Sequence, residues 1–170
     1  MAARLKRRSA ARLSEIRLLV LDVDGTLTDG RLRYGARGET EKVFHVRDGY
    51  GIKAVMAAGI CVAVISGRQS PAVLRRCKEL GIDHVHQGIH DKAPVLRQLL
   101  TALGLQARQC ACVGDDVPDL PLMQEAGLAV AVADAHPMAS SLAHRRTRLP
   151  GGAGAVREVC DWLLAARARA

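Results

Sequence analysis

The sequence predicts an α/β protein built on a Rossmann-like, doubly wound parallel sheet. Three observations carry that expectation. Short apolar runs alternate with segments of helical periodicity, the signature of βαβ units. The chain has 170 residues, 49% of them hydrophobic, enough for one domain with a substantial core. Aromatic residues make up only 2%, so the core must be built from Val, Leu, Ile and Ala, the usual filling of a parallel sheet covered by helices, and a sandwich or barrel is disfavoured.

In chain order, a first buried strand is expected at Leu18–Leu21. Residues 30–47, GRLRYGARGETEKVFHVR, place strand-like residues on both sides of a Gly35–Gly38 turn region and predict a β-hairpin flap. A helix near Ile52 to Ala58 puts Ile52, Val55 and Met56 on one face, and a second strand follows at Cys61–Ile65. The next helix is well marked: Ser70 as N-cap, Pro71 at the first helical position, a stripe of Val73, Leu74, Cys77 and Leu80, and Gly81 as stop. After a strand at His84–His86, Val95, Leu96, Leu99, Leu100 and Leu103 repeat at helical spacing up to Gly104. Strands at Cys110–Val113 and Leu128–Val132 and a last helix over Ala155–Ala165 complete the reading. With no repeats or long linkers, the chain divides into a basic N-terminal tail, 1–15, and a single domain, 16–170.

Charge and cysteine usage narrow the classes. Residues 1–17 hold Arg4, Lys6, Arg7, Arg8, Arg12 and Arg17 against Glu15, which is +5 of the net +8 and leaves +3 for the rest. A solvated tail accounts for this better than a nucleic-acid face, because there are few aromatics on which bases could stack. The tract also has the composition of a mitochondrial transit peptide, but the same Ala/Arg richness returns at the C-terminus, and a cytoplasmic location is expected. No apolar run approaches the roughly 20 residues of a membrane span. The five cysteines read as reduced core thiols; Cys110 and Cys112 alternate within one strand without a second pair to complete a zinc site. His84 and His86 read as strand residues rather than ligands.

The stretch LLVLDVDGTLTDG puts Asp22 and Asp24 just past the carboxyl end of the first strand, where open α/β sheets bind ligands. Two apart in an extended strand, the carboxylates share a side and repel, so a divalent cation or a shared proton is needed if both are buried. Taken alone, a turn-capping role would explain them equally well. Three further features fall on the same sheet edge: Ser66 and Arg68 in VISGR, Asp115, Asp116 and Asp119 in VGDDVPD, and Lys92 at a helix start, where ammonium and N–H groups favour an anion.

DVDGT, the SG at Ser66, Lys92 and GDDVPD resemble, in order, the four motifs of the haloacid dehalogenase superfamily of phosphohydrolases, over most of residues 18–132. The resemblance implies that Asp22 is the nucleophile and forms an aspartyl-phosphate, with Asp24 as general acid and then base. It further implies Mg²⁺ held by Asp22, Asp115 and the backbone carbonyl of Asp24, with Ser66 and Lys92 binding the phosphoryl oxygens and Thr26 near the substrate. Asp116 and Asp119 stay open between support of the metal ligands and, for Asp119, a helix cap.

Only 26 positions separate Ser66 from Lys92, too few for a cap domain, so the site would be open unless another subunit closes it. With VRDGYGI, QGIHDK and PGGAGAVREV, the chain resembles the 3-deoxy-D-manno-octulosonate 8-phosphate phosphatases over about residues 16–164. That resemblance implies a homotetramer acting on a phosphorylated sugar acid for lipopolysaccharide synthesis, with Arg68, Arg76 and Arg157 among the substrate-binding residues. The Gly-rich segment from Pro150 reads equally as a lid or as an ordinary loop. A phosphatase for a nine-carbon sugar-acid 9-phosphate would share every catalytic residue. A non-catalytic oligomerisation module of the same fold could lose the acids and lysine kept here, and a receiver domain would place its lysine late in the chain, whereas Lys92 precedes GDD.

Overall fold

The computed structural model describes residues 13–169, so most of the basic tail lies outside the described residues. A short turn at Leu13–Glu15 leads into β1 (Leu18–Leu21), and Leu13 already packs against the core. The hairpin is β2 (Arg33–Gly35) with β3 (Gly38–Glu41), shorter than the 30–47 stretch that suggested it. Then come α1 (Val46–Ala57), β4 (Cys61–Ile65), α2 (Pro71–Leu80), β5 (His84–His86), α3 (Lys92–Ala102) and β6 (Cys110–Gly114). The chain closes with α4 (Leu120–Glu125), β7 (Leu128–Ala131), α5 (Pro137–Leu142), β8 (Arg145–Arg146) and α6 (Ala155–Arg167).

Six strands form one parallel sheet in the order β5-β4-β1-β6-β7-β8. Counting only these strands, that is the doubly wound order, and its direction reverses between β1 and β6. Strand alternation divides the core into two layers. Leu19, Leu21, Val62, Val64 and Val113 pack with Ile52 and Val55 of α1, Val73 and Cys77 of α2, and Val159 and Leu163 of α6. Leu18, Val20, Ala63, Ile65 and Cys112 pack with Leu96 and Leu99 of α3, Leu122 and Met123 of α4, and Leu142 of α5. Each layer is aliphatic, as the scarcity of aromatics requires.

Helix α1 begins six residues before the expected start. VRDGYG carries two glycines and therefore weak helix propensity, but packing overrides it: a Cβ at Gly51 would lie 2.9 Å from Arg157 Cδ and 3.0 Å from Cys160 Cβ of α6. Gly51 lets α1 approach α6 closely, and Gly49 does the same toward Arg76 and Leu80 of α2. Short α4 and α5 and the two-residue β8 have too little periodicity to be seen in the sequence.

Candidate active site

The phase of β1 sets the direction of the first acid. Leu18 and Val20 face the α3 layer, and Asp22, two residues on, continues that phase toward Lys92 at the first turn of α3. Lys92 Nζ donates to Asp22 Oδ1 at 2.5 Å and to Asp119 Oδ1 at 2.7 Å, and the lysine is 2% exposed. The second oxygen of Asp119 accepts the backbone N–H groups of Asp115 (3.0 Å) and Asp116 (3.3 Å), closing the turn after β6. That turn presents Asp115, whose Oδ1 accepts the Thr26 hydroxyl at 3.3 Å. Asp22, Asp115 and Asp119 thus offer carboxylate oxygens within 4.8 Å of one another, at the point where the strand order reverses.

Three carboxylates face one ammonium, leaving an excess of buried negative charge. Burial and the neighbouring Asp119 carboxylate push the Asp22 carboxyl upward from its ordinary 3.8; burial and the charges of Asp22 and Asp119 do the same to Asp115. Burial works against the Lys92 ammonium, but the two carboxylates outweigh it and keep it charged. A hard divalent cation fits this donor set of carboxylate oxygens. Asp119 is already engaged by Lys92 and two N–H groups, so Asp22 and Asp115 are the side chains best placed to hold it, braced by Asp119. Gly25 makes room: its φ is +93°, and a Cβ there would lie 2.1 Å from Asp115 Oδ2.

The raised carboxyls have a consequence for pH. A carboxyl raised in the folded state favours the protonated form, so its contribution to stability is present at low pH and is lost as pH rises from about 4 to about 8. A bound cation favours the ionised form and offsets that loss. The rise in Tm on adding Mg²⁺ is therefore expected to be larger at pH 8 than at pH 5, reaching about 5–10 °C at a hundredfold excess over Kd, and to vanish in Asp115→Asn. Thermal unfolding with and without the ion checks this; an increment independent of pH would contradict it.

Asp24 is placed differently from the sequence expectation. The strand ends at Leu21, and the N–H groups of Thr26, Leu27 and Thr28 all turn back to the Val23 carbonyl. Asp24 therefore sits in a turn, not on an extended strand beside Asp22, and its Oδ1 accepts Lys42 Nζ at 2.5 Å. Ser66 is buried just past β4, its hydroxyl oxygen accepting the Arg68 N–H at 3.3 Å. The Arg68 guanidinium reaches the hairpin, donating to Tyr34 Oη (3.0 Å) and Glu39 Oε2 (2.9 Å). Arg76 lies against Gly49 and pairs with Glu79 at 3.6 Å, while Arg157 pairs with Asp161 at 2.8 Å and stacks over Tyr50. Within one chain these two arginines are engaged away from the acid cluster. Lys42 and Glu39 went unrecognised in the sequence because a charged GETEK run reads as a solvated hairpin face.

The Gly-rich segment is a packed loop. Gly151 N–H donates to Asp134 Oδ1 (2.9 Å), Gly152 N–H to the Thr26 carbonyl (3.1 Å), and a Cβ on Gly151 would fall 1.7 Å from the Gly25 carbonyl oxygen. Its glycines serve close approach to the turn that carries the acids. Gly151→Ala is expected to lower Tm by about 2–10 °C and to cut activity at least about tenfold by displacing that turn. Unfolding and activity measurements on the purified variant check both.

These features recur in known proteins. The 3-deoxy-D-manno-octulosonate 8-phosphate phosphatase KdsC of Yersinia pestis is 49% identical over 156 residues, 92% of this chain and 83% of that protein. The chain belongs to the 3-deoxy-D-manno-octulosonate 8-phosphate phosphatase family. Residues 84–150, which hold Lys92, Asp115 and Asp119, match the haloacid dehalogenase-like hydrolase family. Two solved members of the phosphatase family superpose with a TM-score of 0.90. The Moraxella catarrhalis enzyme, in complex with magnesium, phosphate and KDO, is 42% identical over 93% of this chain and 91% of that one. The cobalt-bound Haemophilus influenzae enzyme is 44% identical over 92% of each chain. The fold is thus that of the phosphatase family, and no cap domain interrupts the sheet among the described residues.

Proposed function

We propose that this protein is a Mg²⁺-dependent phosphatase that converts 3-deoxy-D-manno-octulosonate 8-phosphate to the free sugar acid and phosphate. The observation that carries the reading is the Asp22–Lys92–Asp119–Asp115 cluster at the sheet switch point of a chain 49% identical to a named enzyme of that activity.

Asp22 attacks phosphorus, and its oxygen–phosphorus bond forms as the bond to the sugar oxygen breaks. Asp24, protonated at that moment, gives its proton to the departing oxygen. It then takes a proton from the water that attacks phosphorus and releases Asp22. Lys92 and Ser66 bind phosphoryl oxygens in this scheme, and Asp119 keeps Lys92 in place. Asp22, Asp115 and the backbone carbonyl of Asp24 would hold Mg²⁺, which supplies charge neutralisation at the transferring phosphoryl group. Arg68, which holds Tyr34 and Glu39 of the hairpin, would meet the substrate's carboxylate in this scheme. Arg76 and Arg157 would act only at a neighbouring subunit's site.

A homotetramer fits the lack of a cap among the described residues, and a cytoplasmic location belongs to the same reading. Tyr34, Val43, Val46 and Tyr50 are exposed on and beside the hairpin, an apolar surface suited to a second copy. No helix among the described residues is long and apolar enough to cross a membrane. The reading is tested by measuring phosphate release with Mg²⁺ or EDTA on the eight-carbon and nine-carbon sugar-acid phosphates and on simple sugar phosphates. A strong, ion-dependent preference for the eight-carbon acid is expected. Preference for the nine-carbon acid would move the substrate assignment, and no release from any of them would overturn the reading in favour of a non-catalytic module.

A further inference from the structure

Just past its second strand the hairpin delivers a half-buried lysine, its side chain covered, to Asp24. Lys42 follows β3 directly, its side chain is 2% exposed, and its Nζ donates to Asp24 Oδ1 at 2.5 Å while lying 2.9 Å from Glu39 Oε1. Glu39 in turn holds Arg68 through its other oxygen at 2.9 Å. A chain of alternating charges, Asp24–Lys42–Glu39–Arg68, therefore ties the turn after β1 to the loop after β4 through the flap. The Lys42 side chain is turned inward onto two carboxylates rather than outward along the hairpin face.

We propose that Lys42 is a positioning residue: from the flap it holds Asp24 Oδ1 and so fixes how the Asp24 carboxyl group is turned during the reaction. This rests on the phosphatase reading above. An ammonium can only donate, so the oxygen it holds must accept. With Oδ1 committed to Lys42, Oδ2 is the oxygen left to exchange a proton with the reacting groups. From there a proton passes to the sugar oxygen as that oxygen's bond to phosphorus breaks, and the proton of the attacking water returns to Oδ2 in the second step. Lys42 stays protonated throughout. The ion pairs also make this arrangement conditional on the flap: with the hairpin lifted, Asp24 loses the donor that orients it.

Leaving-group dependence separates this role from a structural one. p-Nitrophenolate departs from phosphorus without protonation, whereas a sugar alkoxide does not. In Lys42→Met, the first-turnover burst of p-nitrophenolate is expected to stay within about fivefold of wild type. The steady-state rate on the same ester and the single-turnover rate on the sugar-acid phosphate should each fall by about 10²-fold. Lys42→Arg, which keeps a cationic donor, should recover about tenfold of that loss, and it serves as the test variant should Lys42→Met fail to fold. An equal loss of burst and sugar-phosphate rate, or no loss in either, would overturn the inference. Wild-type protein without ion-dependent turnover on any ester would instead overturn the phosphatase reading on which it stands.

Discussion

Asp22→Asn is expected to lower phosphate release by about 10⁴-fold or more while leaving the protein folded. An amide cannot attack phosphorus, and neither Asp24 nor Asp115 can take over: Asp24 is turned toward the hairpin by Lys42, and Asp115 is held by Thr26 across the cluster. Stability should change little, because two effects oppose each other. The variant weakens a 2.5 Å hydrogen bond from Lys92, but it also removes one of three crowded carboxylates whose burial and mutual repulsion push Asp22 and Asp115 upward. Phosphate release under saturating Mg²⁺, with circular dichroism and Tm alongside, checks both halves. Activity within tenfold of wild type would remove Asp22 from the nucleophile's role.

Lys92→Met has the largest expected effect on stability. Its ammonium is the cation hydrogen-bonded to both Asp22 and Asp119, and the side chain is buried among them. Removing one partner of a buried ionic network costs about 3–5 kcal/mol, or about 6–20 °C in Tm for a chain of this size. The loss should be greatest in EDTA at pH 8, where the uncompensated carboxylates are most fully ionised, and smaller at pH 5 or with Mg²⁺ present. Activity should fall with stability, since the same group contacts the phosphoryl oxygens in the proposed chemistry. Calorimetry across these four conditions gives the pattern directly, and a loss that ignores both pH and ion would mean that Lys92 acts only through packing.

The parts of this molecule that were legible in the sequence are those governed by local pattern. The apolar runs of β1, β4 and β6 and the capped stripe from Ser70 to Gly81 announced a doubly wound sheet, and the acids could be placed at its edge because they directly follow the apolar runs of β1 and β6. What the sequence hid depends on contacts between distant segments. The VRDGYG start of α1 is helical because Gly49 and Gly51 admit close neighbours, against its propensity. Asp24 leaves the phase of β1 because the chain turns at Val23, just after Asp22, which periodicity alone does not reveal. Lys42 lies 18 residues from Asp24, and only the fold of the hairpin makes the pair. Asp119, readable as a helix cap or as support for the metal ligands, serves as a turn-closing acceptor and as the anchor of Lys92 together.

The most direct test of the account is to find where the phosphoryl group goes. Protein quenched with acid during turnover on the eight-carbon sugar-acid phosphate can be reduced with borohydride, which converts an aspartyl-phosphate to homoserine, and then mapped by peptide mass spectrometry. Homoserine at position 22, formed with Mg²⁺ and absent in EDTA, is the predicted result. Homoserine at Asp24 or Asp115, or continuing turnover without a modified carboxylate, would contradict the assignment of Asp22 as the nucleophile.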